Sequence, residues 1–229
     1  RLLQQLPFSP TNAQSRVFQE ILTDLGAGHP MLRFVQGDVG SGKPLVAALA
    51  AASVVQAGYQ VAIMAPTEIL AEQHYNNFRQ WFKPLGLNVA WMIGKLKGKV
   101  REKELADIAS GAAHIVVGTH ALFQDTVEFD RLALAIIDEQ HRFGVHQRMA
   151  LREKGMKHGF QPHQLIMTAT PIPRTLAMSA YADLDCSIID ELPPGRTPVN
   201  TIVVSDQRRQ EVIDRVKSAG EEGKQAYWV

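Results

Sequence analysis

The stretch GDVGSGKP, Gly37 to Pro44, lies between the apolar run 31–35 and Leu45-Val46-Ala47-Ala48-Leu49, so it reads as strand, glycine loop and helix. That order is the context a phosphate-binding loop requires. The spacing G-x-x-x-x-G-K-[ST] is met at Gly37, Gly42 and Lys43 and broken at Pro44. Glycines let the backbone curl with its N–H groups inward, and the following helix presents the positive end of its dipole. Gly37, Asp38, Gly40, Ser41, Gly42, Lys43 and Pro44 are therefore the candidate nucleotide-binding residues, with Lys43 reaching the β- and γ-phosphates. A glycine turn without a ligand is the plainer alternative.

Pro44 interrupts the chemistry more than the fold. A hydroxyl at this position ligates Mg²⁺, and proline offers neither a hydroxyl nor a backbone N–H. Its fixed φ nevertheless suits the first turn of a helix.

Composition places the chain among ordinary globular proteins: 229 residues, 45% hydrophobic, 21% charged and a net charge of +1. Overall balance leaves room for a basic face, so it does not decide for or against nucleic acid. A lone cysteine, Cys186, forms no internal disulfide and suits a reducing compartment. No apolar run approaches the roughly 20 residues of a membrane span, and the expectation is a soluble cytoplasmic protein. The opening at Arg1 without methionine and the strand-like ending 225–229 suggest a fragment of a longer polypeptide.

Upstream of the loop, Phe8, Thr11 and Gln14 lead into a helix predicted over 12–25, with Val17, Ile21 and Leu22 on one face. Phe8 and Gln14 either stack on and hydrogen-bond an adenine or merely open the helix. Downstream, a helix over 43–56 and a buried strand over 59–65 precede Thr67, a natural N-cap for a helix ending near Phe82. Strands follow over 87–93 and 116–119. Between them Lys95, Lys97, Lys99, Arg101 and Lys103 alternate through a loop entering a helix, forming either a solvated face or a row of phosphate contacts.

The run 132–137 is wholly apolar and reads as a central parallel strand, ending in Asp138-Glu139-Gln140-His141. Carboxylates at the carboxyl end of such a strand stand where open α/β sheets keep their ligands. In an ATPase, Asp138 holds Mg²⁺ directly or through water, and Glu139 orients and deprotonates the attacking water. A metal centre of Asp138, Glu139, His141 and His146 is the competing chemistry, but its spacing matches no zinc motif. A further strand, 165–167, runs into Thr168-Ala169-Thr170, two hydroxyls at the same edge or a Thr/Pro turn. Arg142 and Arg148 are read as partners of local carboxylates.

Residues 193–199 carry three prolines and a glycine and read as a stiff linker. A strand (201–204), a helix (208–219) and a strand (226–229) then begin a second α/β unit. Over 31–190, about seven strand–helix alternations predict a parallel sheet with helices on both faces.

Taken in order, these blocks resemble the motifs of superfamily 2 helicases: Phe8, Thr11 and Gln14 the adenine-reading Q motif, 37–44 motif I, 65–68 motif Ia, 118–120 motif Ib, 138–141 motif II and 168–170 motif III. The wording of 138–148, 168–177 and 190–199 is similar to that of the RecG family of branched-DNA helicases. The transcription-repair coupling translocases share part of it, and Gln140-His141 favours the former. The resemblance implies a RecA-like lobe over 1–192, a linker over 193–199 and the start of a second RecA-like lobe over 200–229. It implies an ATP- and Mg²⁺-dependent monomeric motor acting on branched or double-stranded DNA without regard to sequence. Hydrolysis would fall to Lys43, Asp138 and Glu139, and Gln140, His141, Thr168 and Thr170 would couple ATP state to motion. Thr67, Lys95, Lys97, Lys99, Thr119 and His120 would line the DNA path. Members of the family carry Ser or Thr where this chain has Pro44, and they need a wedge domain before this segment and a second lobe after it. A catalytically impaired nucleotide- or DNA-binding module is therefore the alternative reading.

Overall fold

The continuous apolar runs of the chain are those of a sheet buried on both sides. In the computed structural model, which describes residues 9–139, 161–169, 185–191 and 200–228, the strands are β1 (Leu32–Gly37), β2 (Gln60–Met64), β3 (Val89–Met92), β4 (Ile115–Gly118), β5 (Leu132–Asp138), β6 (His163–Thr168) and β7 (Asp185–Ile189). They form one sheet in the order β3-β4-β2-β5-β6-β1-β7, with every pairing parallel. Successive residues of a strand face opposite sides. Val61 and Ile63, with Leu134 and Ile136, join one core, while Ala62 and Met64, with Ala135 and Ile137, join the other.

The helices fall on both faces as the alternation requires. The first core takes α1 (Asn12–Leu25) through Val17 and Ile21, α2 (Lys43–Gln56) through Leu45 to Ala51, and α3 (Glu68–Phe82) through Phe78 and Phe82. The second core takes α4 (Gly98–Ala109) through Ile108. Boundaries follow local chemistry. Thr11 caps α1 in a reciprocal box with Gln14, and Thr67 accepts from the Leu70 N–H to open α3.

Edge strand β7 is where the hydrophobic pattern is too weak to announce a strand. Its burial alternates over only five residues, with Ser187 and Ile189 inward. It is held by pairing with β1 and by Arg33, whose guanidinium on β1 donates to Asp24 at 2.6 Å and to Ser187 at 2.8 Å.

Contacts divide the chain into two units, 1–194 and 195–229. In the second, α5 (Arg209–Glu221) forms, but among the described residues no strand forms where strands were expected over 201–204 and 226–229: 200–205 and 224–228 have no regular structure. A strand satisfies its backbone groups only against a partner, and the described residues of this unit contain none. Val203 and Tyr227 are almost fully exposed. No described helix is long and apolar enough to cross a membrane.

Candidate functional site

In a parallel sheet every strand delivers its carboxyl end to the same edge. The phosphate loop follows β1 and the acidic pair follows β5, with only β6 between them. Two strand spacings amount to about 10 Å, a gap a triphosphate can span. Thr168 closes β6 in that gap, in register with Gln36 of β1, and is buried.

The loop has the curl that its glycines predict. Gly40 and Gly42 take φ of 81° and 83°, values that side-chain-bearing residues rarely adopt. The Ser41 N–H closes a turn on the Asp38 carbonyl at 3.0 Å. Among the described residues, the N–H groups of Gly40, Gly42 and Lys43 donate to no carbonyl or side chain, as an anion cradle at a helix N-terminus requires. Lys43 is buried, and its ammonium donates to the carbonyls of Gly37 (2.6 Å) and Asp38 (3.1 Å). Burial pushes its pKa below the ordinary lysine value, an effect that Asp138, Glu139 and Asp38 partly oppose. Loop and acidic pair thus share one electrostatic field. Pro44 sits in the first turn of α2, where it supports the helix and supplies no donor.

Glu139 has φ of 51°, and among the described residues no other side-chain-bearing residue has a positive φ. Such backbone is tolerated where surrounding structure imposes it, and sites of chemistry are where it gathers. Its N–H is fixed by the Met167 carbonyl of β6 at 3.0 Å.

Gln14, expected at the adenine, also makes contacts within the chain. Its Nε2 donates to the Ser41 carbonyl at 2.8 Å, and its Oε1 accepts from the Thr11 N–H at 3.0 Å. One N–H and one lone pair of the amide are used and the residue is buried, so it props the phosphate loop from α1. A Cβ at Gly42 would collide with this amide. Phe8, Gln140, His141 and Thr170 lie outside the described residues, as do His146, Arg142 and Arg148, so the four-residue metal centre is not described either. Among the described residues no cluster of three metal-ligating side chains occurs.

The expected DNA-facing residues follow β2, β3 and β4, the other half of the same edge. Thr67 caps α3, Lys95 pairs with Glu68 at 2.8 Å, and exposed His120 lies beside Gly94. Lys97 and Lys99 are exposed and form no ion pair among the described residues, whereas Lys103 is spent on Asp107 of its own helix. Arg101 donates to Gln124 and Thr126. Thr119 departs from the expectation: it is 3% exposed with its hydroxyl buried, so its side chain does not reach the surface.

Sequence reading overlooked His74. It lies on α3, 5% exposed, with Nε2 2.7 Å from Asp138 Oδ2. No motif spacing marks it. A cavity of about 590 Å³ lined by Leu22, Val54, Tyr59, Leu132 and His163 opens at the amino ends of the strands, opposite this edge. It includes none of the residues above.

The family model of the DEAD/DEAH box helicases matches residues 11–179. The chain belongs to this helicase family. Within it, the chain is 69% identical over its whole length to the ATP-dependent DNA helicase RecG of Haemophilus influenzae and 66% identical to that of Escherichia coli K12. It spans 33% of the length of each of these relatives. A solved structure of RecG bound to a three-way DNA junction covers 97% of this chain with a TM-score of 0.84 at 43% identity, the chain spanning 29% of it. The helicase family supplies the fold, and the site residues are this chain's own.

Proposed function

We propose that this chain is the nucleotide-binding first motor lobe, with the start of the second, of an ATP-dependent DNA helicase that remodels branched DNA. The observation that carries the reading is the placement of the phosphate loop and the Asp138–Glu139 pair at one sheet edge, with Lys43 in the field of both carboxylates. The likeness to RecG over the full chain supports the substrate class.

The residues fit ATP and Mg²⁺ unequally. The N–H groups of Gly40, Gly42 and Lys43, which find no acceptor among the described residues, suit the phosphates. Mg²⁺ is usually held by one or two carboxylates together with substrate phosphates, so Asp138 without a protein cage is enough to hold it. When bound, the ion neutralises charge on the phosphate oxygens. Lys43 would exchange its loop carbonyls for the β- and γ-phosphates, the loop N–H groups would hold the phosphates, and Glu139 would accept the proton of the attacking water. On the other half of the edge, Thr67, Lys95, Lys97, Lys99 and His120 face the DNA backbone, giving affinity that depends on salt and little on sequence.

In a polypeptide carrying both lobes, Lys43→Ala is expected to abolish ATP turnover stimulated by branched DNA. Undiminished turnover in that variant overturns the reading. Pro44 favours a second reading, a nucleotide- or DNA-binding module with weak catalysis, because it removes both a metal ligand and a phosphate donor. Pro44→Thr in the same polypeptide separates the two: a rise in turnover supports impairment, and equal rates exclude it.

A further inference from the structure

The two halves of the carboxyl edge meet at one side chain. His74 lies two turns into α3, the helix that Thr67 opens on the expected DNA side, and its Nε2 contacts Asp138 on the nucleotide side. Seven residues of helix carry about 10 Å, so one rigid element runs from the N-cap to the carboxylate. A carboxylate accepts and cannot donate, so the 2.7 Å contact places a proton on Nε2. The Nδ1 atom is buried without a partner among the described residues. With the proton on Nε2, Nδ1 is the acceptor nitrogen of the ring.

We propose that His74 is a positioning residue for the metal-holding carboxylate: by occupying Asp138 Oδ2 it leaves Oδ1 turned to the phosphate side, and it ties that orientation to α3. Outer partners that orient a metal ligand change metal affinity when removed, while interactions remote from the metal stay intact. The inference rests on the assignment of Asp138 to the metal given above. It matters more here than with a hydroxyl at position 44, because Asp138 then holds the ion without that second ligand.

The test is a titration of the 229-residue chain with a fluorescent ADP analogue, in EDTA and in Mn²⁺, with Mn²⁺ binding followed by electron paramagnetic resonance. His74→Leu removes the donor and keeps the apolar packing, and His74→Gln keeps an N–H donor. The expected result is unchanged metal-free affinity in both, with the gain from Mn²⁺ falling about tenfold in the leucine variant and within about threefold of wild type in the glutamine variant. An intact Mn²⁺ gain in His74→Leu overturns the inference alone. An equal loss with and without Mn²⁺ shows that His74 only packs, and overturns it too. A wild-type chain indifferent to Mn²⁺ overturns the assignment of Asp138, and the inference with it. The imidazole ¹⁵N spectrum of the unmodified chain tests the hydrogen bond without substitution: a long-lived proton on Nε2 is expected, and the Nδ1–H tautomer is the contrary result.

Discussion

Lys43 carries opposing demands, since the charge proposed to meet phosphate is held in a buried place. A lysine whose folded pKa lies below its unfolded value binds fewer protons folded than unfolded between the two, so stability rises with pH through that window. Burial is the leading cause of the lowering, offset in part by Asp138, Glu139 and Asp38. Lys43→Met is therefore expected to raise the melting temperature at neutral pH, with the advantage shrinking as the pH climbs through the lowered lysine pKa. Thermal melts of both proteins across alkaline pH check the sign. Gln14 makes the complementary case of a polar group fully used. Gln14→Leu leaves the Ser41 carbonyl and the Thr11 N–H without their partner and should cost about 1–3 kcal/mol in urea unfolding. It should also weaken metal-free nucleotide binding, because the loop loses its support from α1. A residue read as touching adenine or opening the helix also braces the loop in the folded chain.

At the level of the loop and its helix, Pro44 sets stability against chemistry. Proline in the first turn restricts the unfolded chain at no cost to the native φ, a gain of about 0.4–1 kcal/mol. Pro44→Thr should lose roughly that amount in denaturant unfolding. The same substitution should increase the dependence of nucleotide affinity on Mg²⁺, measured by titration with and without EDTA. A threonine variant both more stable and indifferent to metal would contradict both parts. The glycine turn needs no such trade, because Gly40 and Gly42 occupy left-handed backbone that the spacing itself demands. Helix α3 is the element whose importance exceeds its motif: Thr67 marks its start in the sequence, but its reach to Asp138 through His74 appears only once the helix is laid on the sheet.

Across the molecule, one sheet edge divides into two territories. Strands β1, β6 and β5 end at the residues assigned to the nucleotide, and β2, β4 and β3 end at those assigned to DNA. Lys97 and Lys99 are the exposed cations of the second territory that form no ion pair among the described residues. In a polypeptide able to bind a three-way junction, each alanine substitution should weaken binding alike across sequences. Each should also lower the log–log salt slope by about 0.9 for every phosphate that is no longer neutralised. Lys103→Ala, already paired with Asp107, should change the slope little. Affinities measured over a salt series decide between a solvated face and a row of phosphate-binding lysines.

Periodicity and spacing sufficed for the parallel α/β sheet, for helices α1 and α2 and for the phosphate loop, because burial on both faces and glycine backbone geometry are local demands written residue by residue. The chain order also placed Asp138 and Glu139 at a strand end, since six apolar residues before two carboxylates leave little else. Folding alone revealed how distant segments meet: Gln14 on Ser41, His74 on Asp138, Thr119 turned inward, β7 paired to β1, and 201–204 left unpaired. These depend on strand order and on which partner satisfies a buried polar group, and neither is encoded in any single stretch of sequence.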